Sequence, residues 1–217
     1  MKFALSLFIV ILFSFYANSQ VAIGVFGGPQ ITSVNFSIQN VKQKSSSKIG
    51  FQLGMGCKVP IEEKLYFSPA IFYSMKGYKV TFASVALIPD ATATDNNTTV
   101  HTVETAAMLQ YDFSNDPKHF FFKAGPSLDF QLFGHEKFNR NPPDGPVSRN
   151  MKFGYGDYGY FSANMLVQIG YEMGNGLMVF AQYTHGLANL SNVDGGPRIQ
   201  HRVYGISIGK FLRKKKS

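Results

Sequence analysis

The sequence predicts an all-β fold, an eight-stranded antiparallel up-and-down transmembrane β-barrel, and three observations carry that prediction. Apolar and polar residues alternate with period two in segment after segment, and no helical periodicity follows the first twenty residues. The connections between those segments alternate between long and short. Charge is scarce, with 16% of the 217 residues charged and 15% aromatic, against roughly 25% charged in an ordinary soluble domain.

Near its start the sequence carries Lys2, an apolar run from residue 3 to 13 softened only by Ser6, and the small-residue tripeptide Ala17, Asn18, Ser19. A positive start, an apolar stretch too short to span a bilayer and a small-residue cleavage site predict a secretory signal over residues 1–19. The barrel is expected over 20–212, followed by a basic tail over 213–217. Its first strand is read at 21–28, with Val21, Ile23 and Val25 on one face. The second, at 49–59, places Ile49, Phe51, Leu53, Met55 and Cys57 opposite Gly50, Gln52, Gly54, Gly56 and Lys58. The alternation recurs at 65–80, 99–113, 120–133, 158–173, 177–187 and 201–212. Tight turns are predicted at 60–64, 114–118 and 174–176, where Pro, Asn, Asp and Gly concentrate. Long polar connections are predicted at 29–48, 81–98, 134–157 and 188–200.

Short turns on one rim and long loops on the other suit a barrel whose turns face the periplasm and whose loops face outward. A soluble barrel would show the same alternation with its apolar face inside. Two features decide for the membrane: the apolar face carries bulky Phe, Tyr, Leu and Ile strand after strand, and too few charges exist to coat a soluble exterior. Cys57, the single cysteine, can form no internal disulfide and reads as a spectator thiol. The formal net charge of +8 falls to +3 without Lys2, Arg213, Lys214, Lys215 and Lys216, so the basicity lies at the ends. No nucleic-acid partner is expected; the tail is placed beside anionic headgroups or in solvent.

The run from Ile23 through Gly24, Val25, Phe26, Gly27, Gly28 and Pro29 to Gln30 is followed by Gly50, Phe51, Gln52, Leu53 and Gly54. With Pro60, Lys64 and Leu65, the segment 69–77 and Phe121, Phe122, Lys123, Ala124, Gly125, Pro126 and Ser127, it resembles the outer-membrane β-barrel domain family of Gram-negative bacteria often called PorT-like. The resemblance covers nearly the whole chain after the signal. It departs at residues 102–107, which keep only the Glu of a common fourth-strand pattern, and at the basic end, where many such barrels finish on an aromatic residue. It implies an outer-membrane location, and an accessory role in envelope protein secretion as one functional reading beside a structural or surface-interaction role and a narrow solute pore.

Folding the strands about the turn at 114–118 sets inward-facing Glu104 level with Asp129 and Gln110 level with Lys123, and a symmetric connection after Val80 brings Lys76 beside Glu104. These five residues form the predicted lumen network, which reads as a polar plug, since eight strands leave no wide channel. No enzymatic activity is expected: His185, Ser191 and Asp194 supply hydrolase residue types without a nucleophile motif. The histidines lack metal-ligand spacing, and neither a metal nor a cofactor is expected. The expected partners are outer-membrane lipids and, through loop 134–157 with His135, Lys137, Arg140, Arg149 and Lys152, lipopolysaccharide phosphates or envelope proteins. The protein is expected to be a monomer.

Overall fold

Period-two alternation becomes strand throughout the computed structural model, which describes residues 21–212. The predicted signal and the basic tail lie outside the described residues. The elements are β1 (Ala22–Ile38), β2 (Val41–Lys42), β3 (Lys44–Pro60), β4 (Leu65–Thr81), β5 (Asp95–Asp112), β6 (His119–Phe138), β7 (Val147–Asn150), β8 (Phe161–Glu172), β9 (Leu177–Gly186) and β10 (Arg198–Leu212). Eight are long antiparallel staves; β2 and β7 only extend hairpins at one rim. The last stave returns to the first, with Gly24 opposite Phe211 and Val34 opposite His201, so the sheet closes and leaves no edge of unpaired backbone for lipid to desolvate.

The outward faces of the staves are apolar across the middle of the barrel. Ile49, Leu53 and Ile206 are 79%, 61% and 61% exposed, and no soluble core would leave such residues bare on every strand. Opposite them, Gln52, Ser74, Thr102, Gln168 and Ser207 are buried in the lumen. The short connections, residues 61–64, 113–118 and 173–176, share the rim where β1 starts and β10 ends.

Toward the other rim the pattern inverts. On β1 the outward side chains change from Val25 and Ile31 to Ser33, Asn35 and Ser37, while the inward ones change from Gln30 and Thr32 to Val34, Phe36 and Ile38. On β10 the outward series runs Ile208, Ile206, Tyr204, then Arg202 and Gln200, while Val203 and Ile199 turn inward. Within lipid the outside must be apolar; above lipid the exterior meets water and the apolar side chains gather inside. This inversion corrects the predicted connection at 29–48. Both strands run on beyond the membrane, and the bend shrinks to residues 39–43, turning on Gln39 and Asn40 with φ of 47° and 66°.

The interior is therefore layered. Just above the short-turn rim Phe26, Phe72, Met108, Phe121, Leu166, Met178, Phe180 and Phe211 form an aromatic layer. A polar belt occupies the middle. At the outer end Phe36, Tyr78, Val80 and Val100 pack with Ala86, Ile88, Met151, Tyr158 and Leu190 from the outer loops. The predicted polar plug thus needs correction at both ends of the lumen, where apolar side chains fill it.

Candidate functional site

The polar belt is built from long side chains whose register sets their height. Glu104 on β5 and Asp129 on β6 are directly paired. Lys76 on β4 opposes Val100 rather than Glu104, and its four-carbon stem covers the difference. Its ammonium donates to Glu104 Oε2 at 2.9 Å and to both Asp129 oxygens at 2.7 Å. Ser127 Oγ donates to the other Glu104 oxygen, and Asn164 Nδ2 donates to Asp129 Oδ2 at 3.0 Å. All three charged groups are at most 2% exposed. One ammonium thus binds two carboxylates in a medium where each ion is costly to hold unless paired. Beside them Gln52 and Gln182 exchange amide hydrogen bonds at 3.1 and 2.8 Å, and Gln52 also donates to Ser207 Oγ at 2.9 Å.

Gln110 and Lys123 are opposite each other as expected, but they do not join this group. On β5, Ala106 and Met108, both buried in the aromatic layer, separate Gln110 from Glu104. Gln110 Nε2 instead donates to Asp112 Oδ1 at 2.7 Å, and the Lys123 ammonium lies 4.9 Å from the centroid of the Phe121 ring. The predicted network of five is a buried triad of Lys76, Glu104 and Asp129, with two residues belonging to the layer below. A cavity of about 20 Å³ among Phe26, Met108, Lys123, Gln168 and Phe180 has room for about one water, not a continuous column.

Two further clusters cap this belt. At the short-turn rim, Lys58 Nζ sits 2.6 Å from Asp112 Oδ2 and 2.9 Å from Glu172 Oε2. His119 joins them, with Nδ1 donating to the Asp116 carbonyl at 2.7 Å and Nε2 3.0 Å from Asp112 Oδ2. The ligand-type atoms of Asp112, His119 and Glu172 lie within 4.8 Å of one another, and the Lys58 ammonium already lies among them. Asp112 and His119 flank one tight turn, but Lys58 and Glu172 come from distant strands, so no spacing rule reveals the whole cluster. At the outer end, buried Glu136 accepts from Arg149 Nε at 2.8 Å and from Tyr158 Oη at 2.9 Å, while Arg149 Nη2 donates to the Pro89 carbonyl at 2.6 Å. Burial, ahead of the neighbouring Tyr78 and Glu136, pushes the Tyr158 hydroxyl well above its ordinary pKa. Asp90, in the loop at 82–94, is held below the usual carboxylate range by the Thr92 backbone N–H and hydroxyl.

The other sequence candidates disperse. His185 pairs with Tyr183 Oη at 2.9 Å, and Asp194 accepts from Tyr155 Oη at 2.9 Å; among the described residues no hydrogen bond joins either to Ser191. The predicted loop 134–157 is corrected, since β6 runs on to Phe138 and residues 147–150 form β7; in it Arg149 serves Glu136, and Arg140 donates to the Gly145 carbonyl at 3.2 Å, with Asp144 at 3.7 Å. Lys137 and Lys152 remain exposed.

A closed eight-stave cylinder with an apolar belt outside and packed polar side chains inside defines the class of small outer-membrane β-barrel proteins. The chain belongs to the outer membrane protein beta-barrel domain family, whose model matches residues 15–192. No curated protein matches the sequence. Among solved structures it is similar to Ail, the attachment invasion locus protein of Yersinia pestis, at 11% identity and a TM-score of 0.47 over 89% of this chain and 99% of that one. It is likewise similar to the outer membrane protein OprG from Pseudomonas aeruginosa, at 12% identity and a TM-score of 0.47 over 91% and 98% of the two chains. Neisserial surface protein A is similar at 12% identity and a TM-score of 0.43, over 87% of this chain and 96% of that one.

Proposed function

We propose that the barrel is a closed, monomeric outer-membrane scaffold without enzymatic activity, whose work is done at its outer rim through contacts with membrane lipid and envelope partners. The observation that carries this reading is the layering of the lumen. The Lys76, Glu104 and Asp129 triad is bracketed by the aromatic layer on one side and by the outer apolar cluster on the other. A hydrated ion would have to strip water against two apolar layers and break a doubly paired ammonium, and each step is worth several kcal/mol. The outer strands, by contrast, hold a rigid platform of polar side chains clear of the lipid.

Reconstitution of the purified protein in planar bilayers tests the closed lumen. Insertion without steady current across the physiological voltage range is the expected result; a steady, ion-selective conductance would show a solute pore and overturn the reading.

A further inference from the structure

We infer that the outward face of β3 to β6, just above the membrane's apolar belt, binds the phosphate of a phosphorylated saccharolipid of the outer leaflet through donors on Lys79 and Lys137 and the positive charge of Lys48 between them. The inference deepens the surface-interaction reading and rests on it. Register places the residues. Ser46 opposes Lys79, Lys79 opposes Asn97, Asn97 opposes Lys137 and Lys137 opposes Ser148, so one outward row crosses five strands. Adjacent strands are about 4.8 Å apart, which puts Lys79 and Lys137 roughly 10 Å apart at the backbone, with side chains long enough to meet over Asn97.

The third ammonium is already fixed between them. Lys48 lies where β3 slips register against β4, and its side chain crosses Gly77 on the outer surface; a Cβ there would lie 3.2 Å from Lys48 Cδ. Its Nζ donates to Asn97 Oδ1 at 2.8 Å, Thr99 Oγ1 at 2.6 Å and the Thr98 carbonyl at 3.0 Å. Lys79 and Lys137 both lie close enough to repel the Lys48 ammonium. Among the described residues none of the three lysines makes an ion pair, and the outward carboxylate further along β5, Asp95, accepts from Asn139. Three like charges are therefore gathered without an ion pair among them; all three Lys48 donors are taken by the protein, so Lys48 adds charge while Lys79 and Lys137 are left to donate to an anion with several acceptor oxygens.

Depth selects a lipid as the source of that anion. Immediately toward the membrane runs an aromatic row in which Phe51 and Tyr73 centroids are 5.3 Å apart and His101 stacks on Phe133 at 4.3 Å. Girdles of aromatic residues flank the apolar band of outer-membrane barrels, which sets the ammonium groups at the level of the phosphates of an outer-leaflet lipid.

The test is native mass spectrometry of the detergent-solubilised full chain with phosphorylated lipid A, with the same lipid after phosphatase treatment and with inorganic phosphate as competitor. One phosphorylated lipid A is expected to stay bound, with at least tenfold weaker retention after phosphatase treatment and in the Lys48→Gln/Lys79→Gln/Lys137→Gln variant. Equal retention by the variant, or of the dephosphorylated lipid, overturns the inference, and displacement by millimolar inorganic phosphate reassigns the site to a soluble anion. Heat-modifiable gel mobility shows that the variant is folded, and its lack of bilayer conductance is read separately, so failure of the lipid site and failure of the closed-scaffold reading are distinguishable.

Discussion

Lys76 decides how the polar belt behaves on mutation, because it is the ammonium that both buried carboxylates share. Lys76→Met keeps the volume and removes the charge, leaving Glu104 and Asp129 facing each other unpaired. The expected loss is about 3–5 kcal/mol, read as a lower urea midpoint for loss of heat-modifiable mobility. Adding Glu104→Gln and Asp129→Asn removes the uncompensated charges, so the triple variant is expected to recover most of that loss; if it stays as unstable as Lys76→Met, the triad is not the source. A second residue-scale test concerns the aromatic layer. Gly170 faces the lumen where a Cβ would lie 2.6 Å from both Phe121 Cζ and Phe180 Cβ. Gly170→Ala is expected to cost about 1–3 kcal/mol through overpacking in the same urea assay, and Phe121→Leu in the same chain to restore part of it.

Elements at the outer rim are tied together by one side chain of a four-residue strand. Arg149 on β7 holds buried Glu136 of β6 and the Pro89 carbonyl of the loop at 82–94, so Arg149→Ala unpairs a buried carboxylate and frees two connections at once. Limited proteolysis should then cut within 82–94 and 139–160 several times faster than in the parent, while the staves keep their heat-modifiable mobility. Unchanged cleavage would show that the apolar cluster alone seats the loops. The strands, their order and the rim carrying the tight turns were legible because the alternation of 49–59 or 204–208 directly reports two environments. The strand ends were not. In 29–38 the outward Ser33, Asn35 and Ser37 look like loop residues, and only the inward Val34, Phe36 and Ile38 show that the strand continues with inside and outside exchanged. The Glu104 and Asp129 pairing was legible from one turn. The exclusion of Gln110 and Lys123 was not, because it depends on Met108 of β5 and Leu166 of β8 closing a layer across the lumen, and a strand read alone does not report what fills the space opposite.

At the scale of the whole molecule, the inversion fixes where the barrel sits in the bilayer. The outward apolar series on β3 runs from Ile49 to Val59. Ten residue steps at about 3.3 Å with a tilt near 40° give roughly 25 Å along the membrane normal, the height of the apolar band of outer-membrane barrels. The upper boundary then passes through Ile31, Ile49, His101, Phe133 and Tyr204, of which Ile31 is paired with both Ile49 and Tyr204 and His101 with Phe133. The chain contains no Trp, so each introduced Trp reports its own depth without background. Leu53→Trp, Ile31→Trp and Ser33→Trp lie on outward positions in order of increasing height, and their fluorescence in vesicles of lipids brominated along the acyl chain should be quenched strongly, partly and weakly in that order. Equal quenching at positions 31 and 33 would raise the boundary and sink the three lysines into the acyl region, while weak quenching at 53 would remove the barrel from the membrane altogether. The ordered result places the ammonium groups of Lys79 and Lys137 one or two rows above the hydrocarbon edge, where a positive charge stays hydrated and can still reach a lipid phosphate.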